Sequence, residues 1–139
     1  LMDTGGNSGS QACVSIIRGI SLNEIEFRDL GRVVWKEIRV SVLCGVCLAI
    51  ACFAKIIVVD MLLLKSESVT YLVAFVVCAT MAVTVCLAKI VGSTLPLLAK
   101  KLGFDPAVMA SPIITTIVDF LSLMAYFSVA VALLPQFRA

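Results

Sequence analysis

Three stretches of the chain carry long apolar runs, and the polar positions inside them decide what each can be. The last, Pro112 to Leu134, reads PIITTIVDFLSLMAYFSVAVALL. It is long enough to cross a bilayer as a helix, for which about twenty apolar residues suffice. Asp119 interrupts it well away from either end. A carboxylate at the centre of a span costs roughly 2.5–3.5 kcal/mol on insertion scales, so it needs a compensating role. Ser111, Thr115, Asp119, Ser122 and Tyr126 recur at helical spacing and share one narrow arc, whereas Ile114, Val118, Leu121 and Ala125 cover other faces. The pattern predicts a lipid-compatible helix with one polar stripe, suited to the wall of a cation path.

The other runs are residues 40–64 and 69–99. Lys55 and Asp60 lie toward the far end of the first, where a lysine can snorkel, and read as anchoring features rather than a conduction site. Residues 65–68 turn the chain back. In the second run Ala74, Cys78, Ala79 and Ala82 offer a small-residue surface for packing. Thr80 and Thr84 are expected to bond their own preceding carbonyls. Lys89, Gly92 and Pro96 predict that this helix emerges or kinks near its end, and Lys100 to Gly103 finish it. Residues 26–39 are amphipathic, with Phe27, Leu30, Val34 and Ile38 on one face and Trp35 suited to the headgroup level, and predict an interfacial helix. Asp105 before Pro106 and Ser111 before Pro112 are capping pairs, predicting a short helix over 106–110 and then the last span. Pro135 to Ala139 is a short polar exit. The N-terminal residues admit two readings: a loose, glycine-rich N-terminus, which composition favours, or one span over residues 3–17 whose first half is glycine-rich for close helix contact.

Composition agrees with the pattern. Of 139 residues 61% are hydrophobic and 14% charged, and the mean hydropathy is +1.12. A soluble domain has about 45–50% apolar and about 25% charged residues, so the fold class expected is an all-α, polytopic helical membrane domain. The net charge of +2 and the lack of a basic tract give no sign of nucleic-acid binding. The first eleven residues lack a signal-peptide pattern. Cys44 and Cys47 form a single C-x-x-C with no second pair and no histidine in the chain, so the six cysteines read as small hydrophobes rather than a zinc site. Without histidine, a nucleophile–base pair, a phosphate loop or a cofactor motif, the chain does not read as an enzyme. Arg18, Arg28, Arg32, Lys36 and Arg39, with Lys100 and Lys101, put residues 18–39 and 100–105 in the cytoplasm by the positive-inside rule. The C-terminus is then outside, and an upstream membrane segment is expected before residue 1.

With these residues in view, the chain resembles the membrane domain of the MgtE family of magnesium channels and transporters. Gly5-Gly6-Asn7, Gln11 and Ile17-Arg18-Gly19 match the family's GGN…Q…IRG signature. Val91-Gly92, Leu95-Pro96 and Lys101-Leu102-Gly103 match VG-x-x-LP…LG, while Asp105-Pro106-Ala107 and Thr115 to Asp119 match DPA and TT-x-x-D. The resemblance implies that residues 3–22 are a true span, so that spans at about 3–22, 40–64, 69–99 and 112–134 correspond to helices two to five of five. It implies a homodimer in the cell membrane, with a pore on the two-fold axis walled by the second and fifth helices. Gly5, Gly6, Asn7, Ser122 and Tyr126 would line that pore, with Asp105 at its cytoplasmic mouth. Mg²⁺ would bind Asp119, with contacts from Ser111, where the family often has Asn, and from the Thr115 backbone carbonyl. The family's first membrane helix and its cytosolic N-terminal and CBS domains have no counterpart in these residues.

Mg²⁺ demands near-octahedral geometry and dehydrates reluctantly, so it keeps waters and uses one or two carboxylates. Two Asp119 side chains across a dimer axis fit that chemistry. The alternatives are a broader or proton-coupled divalent carrier, since a lone intramembrane carboxylate also serves proton relays, and a non-conducting assembly module.

Overall fold

A computed structural model describes residues 2–63, 70–109 and 112–133, with the side chains of 60–63 and 109 excepted. The regular secondary structure of these residues is helix throughout. Helix α1 is Met2–Ser21, α2 is Leu30–Lys55, α3 is Tyr71–Lys101 and α4 is Pro112–Leu133. Three helical stretches, Phe27–Val59, Tyr71–Lys101 and Pro112–Leu133, are long and apolar enough to cross a membrane. The twenty residues of α1 also reach about 30 Å, but its first half is glycine- and hydroxyl-rich.

Helix α3 is the hub: α1, α2 and α4 all pack on it, and α1 also packs along α4. The α1–α3–α4 core is built by Cys13, Ala88, Ile114 and Val118, with Ile17, Val91 and Leu95 closing over them. Cys13 here packs as a small hydrophobe, as its apolar setting predicts. A second cluster, Ile16, Ile20, Val33 and Leu97, ties α1 and α3 to the start of α2.

The approach of α1 to α3 is set by glycine. A Cβ on Gly92 would overlap the Gly9 carbonyl, and one on Gly9 would stand 3.0 Å from the Ala88 carbonyl oxygen. In lipid, where burial of apolar surface drives nothing, such backbone proximity is what gives helices their van der Waals contact.

Two expectations change at element level. Residues 26–39 do not make a separate surface helix: a 3₁₀ turn at Phe27–Asp29 runs straight into α2, which continues as a π-type helix over Ile56–Leu63. No proline stands between residues 30 and 63 to break the hydrogen-bond ladder. Helix α3 likewise runs through Pro96 to Lys101 as one element, with Pro96 buried. It ends where the sequence puts it. Gly103 takes φ +81° and the Phe104 N–H reaches back to the Ala99 carbonyl at 2.9 Å, a left-handed glycine stop. The short helix expected over 106–110 is a 3₁₀ turn at Pro106–Met109, and the Asp105 carboxylate accepts the Ala107 N–H at 2.9 Å. Pro112 opens α4; Ser111, the Asp60 side chain, residues 65–68 and the exit 135–139 lie outside the described residues.

The face of α2 that meets α3 is not its most apolar one. Val33, Glu37, Ser41 and Gly45 are buried, while Val42, Leu43, Val46 and Ile50 point outward. Lipid accepts the large side chains, so the small and polar ones are left for the helix contact. At this contact the Lys89 ammonium donates to the Glu37 carboxylate at 3.4 Å, both residues being buried. One turn on, Ser41 gives its proton to the Ile38 carbonyl at 2.7 Å and meets Cys86 Sγ at 2.8 Å. The hydroxyl has one proton, so the thiol is the donor in that second bond.

Candidate functional site

Asp119 lies seven residues into α4, about 10 Å along its axis. It is half-buried, and among the described residues it has neither a hydrogen-bond nor an ion-pair partner. Beside it runs the backbone of α1. A Cβ on Gly6 would lie 3.2 Å from Thr115 Cγ2, a tight contact, and 3.9 Å from Asp119 Oδ1, an ordinary one, so the missing side chain eases the approach of α1 to Thr115, with the carboxylate close by. The Thr115 hydroxyl donates to the Pro112 carbonyl at 3.0 Å, and Thr116 does the same at 2.8 Å.

Gly5 turns the other way, into the protein. A Cβ there would stand 2.6 Å from Thr84 Cγ2, 3.1 Å from Val118 Cγ1 and 3.3 Å from Ser122 Oγ. Ser122 is only 2% exposed and donates to the Val118 carbonyl at 2.6 Å. The polar stripe expected along α4 is therefore divided. Ser122 is buried in the α1 contact within the protomer, whereas Thr115 at the edge of that contact, Asp119 and Tyr126 stay half-buried. Tyr126 is half-buried and packs edge-on to Phe127, ring centroids 5.6 Å apart.

Asn7 opens the exposed face of α1. With Ser10, Gln11, Val14 and Ser15 it lines an open groove along that helix. Gly6 and Asn7 are consecutive, so on a helix the groove begins about 100° around from the glycine that touches Thr115 and Asp119. Asp119 thus lies against the glycine next to that polar face, which itself is lined by α1 residues. Asp105 is exposed and stays with its capping turn ahead of α4. Among the described residues no three His, Cys, Asp or Glu side chains gather as a metal cage, and of the two mid-helix carboxylates described, Glu37 is taken by Lys89 and Asp119 is left to an ion.

Sequence reading missed the Glu37–Lys89 pair. The signal was there: Glu37 is the one acid between Leu30 and Val59, four residues from both Val33 and Ser41 on the face that becomes buried. Lys89 lies twelve residues before the end of α3, too far inside to be an emerging end.

Comparison with known proteins agrees with this architecture. Residues 1–129 match the family model MgtE, described as a divalent cation transporter. The magnesium transporter MgtE of Thermus thermophilus is 35% identical over 134 residues, covering 96% of this chain and 28% of that protein. The proteins of the same name from Bacillus subtilis and Enterococcus faecalis are 33% and 31% identical over 127 residues, each covering 91% of this chain and 26% of theirs. The chain thus spans about a quarter of the length of these relatives. Family match and apolar helices together make it a multi-pass cell-membrane protein, and the chain belongs to the MgtE family.

Proposed function

We propose that the chain forms the ion path of a magnesium transporter, in which two copies face each other and hold a hydrated Mg²⁺ between their Asp119 carboxylates. The observation that carries this reading is the unpartnered, half-buried Asp119 beside Gly6, one residue before the polar face of α1 that starts at Asn7. A carboxylate on an apolar helix needs a cation, a proton or water, and no described basic side chain supplies the first. Exposed Asn7, Gln11 and Ser15 are equally unsuited to lipid, so water and a second copy are their natural surroundings. One carboxylate per chain gives two per dimer, the number a Mg²⁺ that keeps most of its waters uses. The Thr115 carbonyl and Ser111 would accept from those waters, with Gly5 and Gly6 keeping α1 close and Asn7 and Tyr126 along the path. In the longer family proteins, cytosolic domains would govern access past Asp105.

Mn²⁺ binding to the reconstituted chain, read by paramagnetic resonance with Mg²⁺ as competitor, tests the site. Saturable binding that Mg²⁺ displaces and Asp119→Asn abolishes is expected. Binding that survives the substitution would move the ion elsewhere. Flux into vesicles that requires a pH gradient as well as Asp119 would favour the proton-coupled carrier.

A further inference from the structure

We propose that the outward face of the first turns of α2 is a docking surface for the phosphate headgroups of anionic phospholipids. Arg32, Trp35, Lys36 and Arg39 are all exposed, Trp35 at 61%. At 3.6 residues per turn they share an arc of about 100°. No ion pair to Arg32, Lys36 or Arg39 occurs among the described residues. The acid that would neutralise the stripe, Glu37, points the opposite way and is held by Lys89 against α3. The buried pair thus takes the Glu37 charge off this surface and leaves three cations facing outward, while Asp29, one turn before Arg32, accepts the Glu26 N–H at 3.1 Å.

Immediately beyond Arg39 the same face becomes apolar, with Leu43, Val46, Ile50 and Phe53 exposed in turn. Those side chains belong in acyl chains, so the basic stripe lies at the level of the headgroups. From Arg32 to Arg39 the helix rises about 10 Å, enough to cross one polar layer of the bilayer, roughly 5–8 Å deep. Trp35 within the stripe has the amphipathic ring that prefers this depth. Continuity with the lipid-facing surface favours phospholipid over an acidic protein segment as the occupant.

Trp35 is the single tryptophan of the chain and reports directly on its neighbours. The chain is reconstituted in phosphatidylcholine nanodiscs containing a fixed fraction of bromine-labelled phosphatidylglycerol or bromine-labelled phosphatidylcholine, and Trp35 quenching is compared. Stronger quenching by the anionic lipid is expected. It should weaken when salt rises from about 0.1 M to about 1 M, as the screening length falls from about 10 to about 3 Å. A near-surface cation contributes about fivefold to such binding. The triple variant Arg32→Gln/Lys36→Gln/Arg39→Gln should therefore bring the preference close to one, while Lys100→Gln, an exposed charge at the end of α3, leaves it intact. Lys36→Gln alone should lower it severalfold, a second reading should the triple variant not fold. Equal quenching by the two lipids in the unaltered chain would overturn the proposal and leave an acidic protein segment as the occupant. A preference that Lys100→Gln reduces as much as Lys36→Gln would overturn it in favour of a diffuse charge effect.

Discussion

Hydroxyls show at single residues how this protein settles its polar atoms without water. Thr80, Thr94, Ser122 and Ser128 each donate to the carbonyl four residues earlier, at 2.6–2.7 Å. Thr84 departs from that habit. It is 1% exposed, and its Oγ1 is the one buried side-chain polar atom without a partner among the described residues. Leaving such a group unbonded costs about 1–3 kcal/mol. Thr84→Val keeps the shape and removes the unbonded atom, so it should stabilise the fold by about 1 kcal/mol. The midpoint of unfolding in dodecyl sulfate would rise; a fall would show that the hydroxyl has a partner of its own. Glu37 and Lys89 pose the opposite case, a buried pair that is satisfied only together. Lys89→Met should cost about 3–5 kcal/mol by leaving a buried carboxylate alone, and Glu37→Leu with Lys89→Met should recover most of it. The same titration reads both, and a double variant no better than the single one would assign the loss to packing.

Helices meet here through what their contact positions lack. Gly92 faces the Gly9 carbonyl with no room for a methyl, whereas a Cβ on Gly31 in the first turn of α2 would find nothing within 4 Å. The two glycines should therefore respond with opposite signs. Gly92→Ala should force α1 off α3 and lower stability by about 1–3 kcal/mol, as overpacking does. Gly31→Ala should be neutral or raise it by up to about 1 kcal/mol through helix propensity. Equal responses would mean that α1 yields freely at Gly92. This contrast also explains what the sequence made legible. Apolar length gave the three long helices, and proline and glycine gave the ends of α3 and α4. The inner face of α2 was hidden because apolar periodicity marks the core only where water surrounds the protein. In lipid the large side chains of α2 turn outward, and the buried row is Val33, Glu37, Ser41 and Gly45. The helical course of α1 was hidden for a related reason: glycine and serine at its contacts read as a linker until their neighbours are known. Asp119 was legible because a carboxylate in an apolar run stands out alone, but that Ser122 turns inward depends on where α1 lies.

At the scale of the whole molecule, the unbalanced surface is the polar face of α1. Around the rest of the bundle exposed residues such as Leu43, Ile50, Phe75, Phe120 and Phe127 suit acyl chains. Asn7, Gln11 and Ser15 do not. If that face lines a water-filled path between two copies, a thiol placed on it ionises and reacts with a charged, water-soluble methanethiosulfonate. A thiol among acyl chains stays protonated and out of reach. Gln11→Cys should therefore label at least about tenfold faster than Leu43→Cys in the same vesicles, since reaction follows the thiolate. The native cysteines supply the background rate, Cys13 and Cys78 being buried, Cys44, Cys52 and Cys86 half-buried and Cys47 exposed. Mg²⁺ should slow the labelling of Gln11→Cys and leave Leu43→Cys unchanged, because an ion held near Asp119 occupies the path that the reagent uses. Labelling of Gln11→Cys as slow as that of Leu43→Cys would mean that protein, not water, covers this face. Fast labelling insensitive to Mg²⁺ would keep the water path and remove the ion from it.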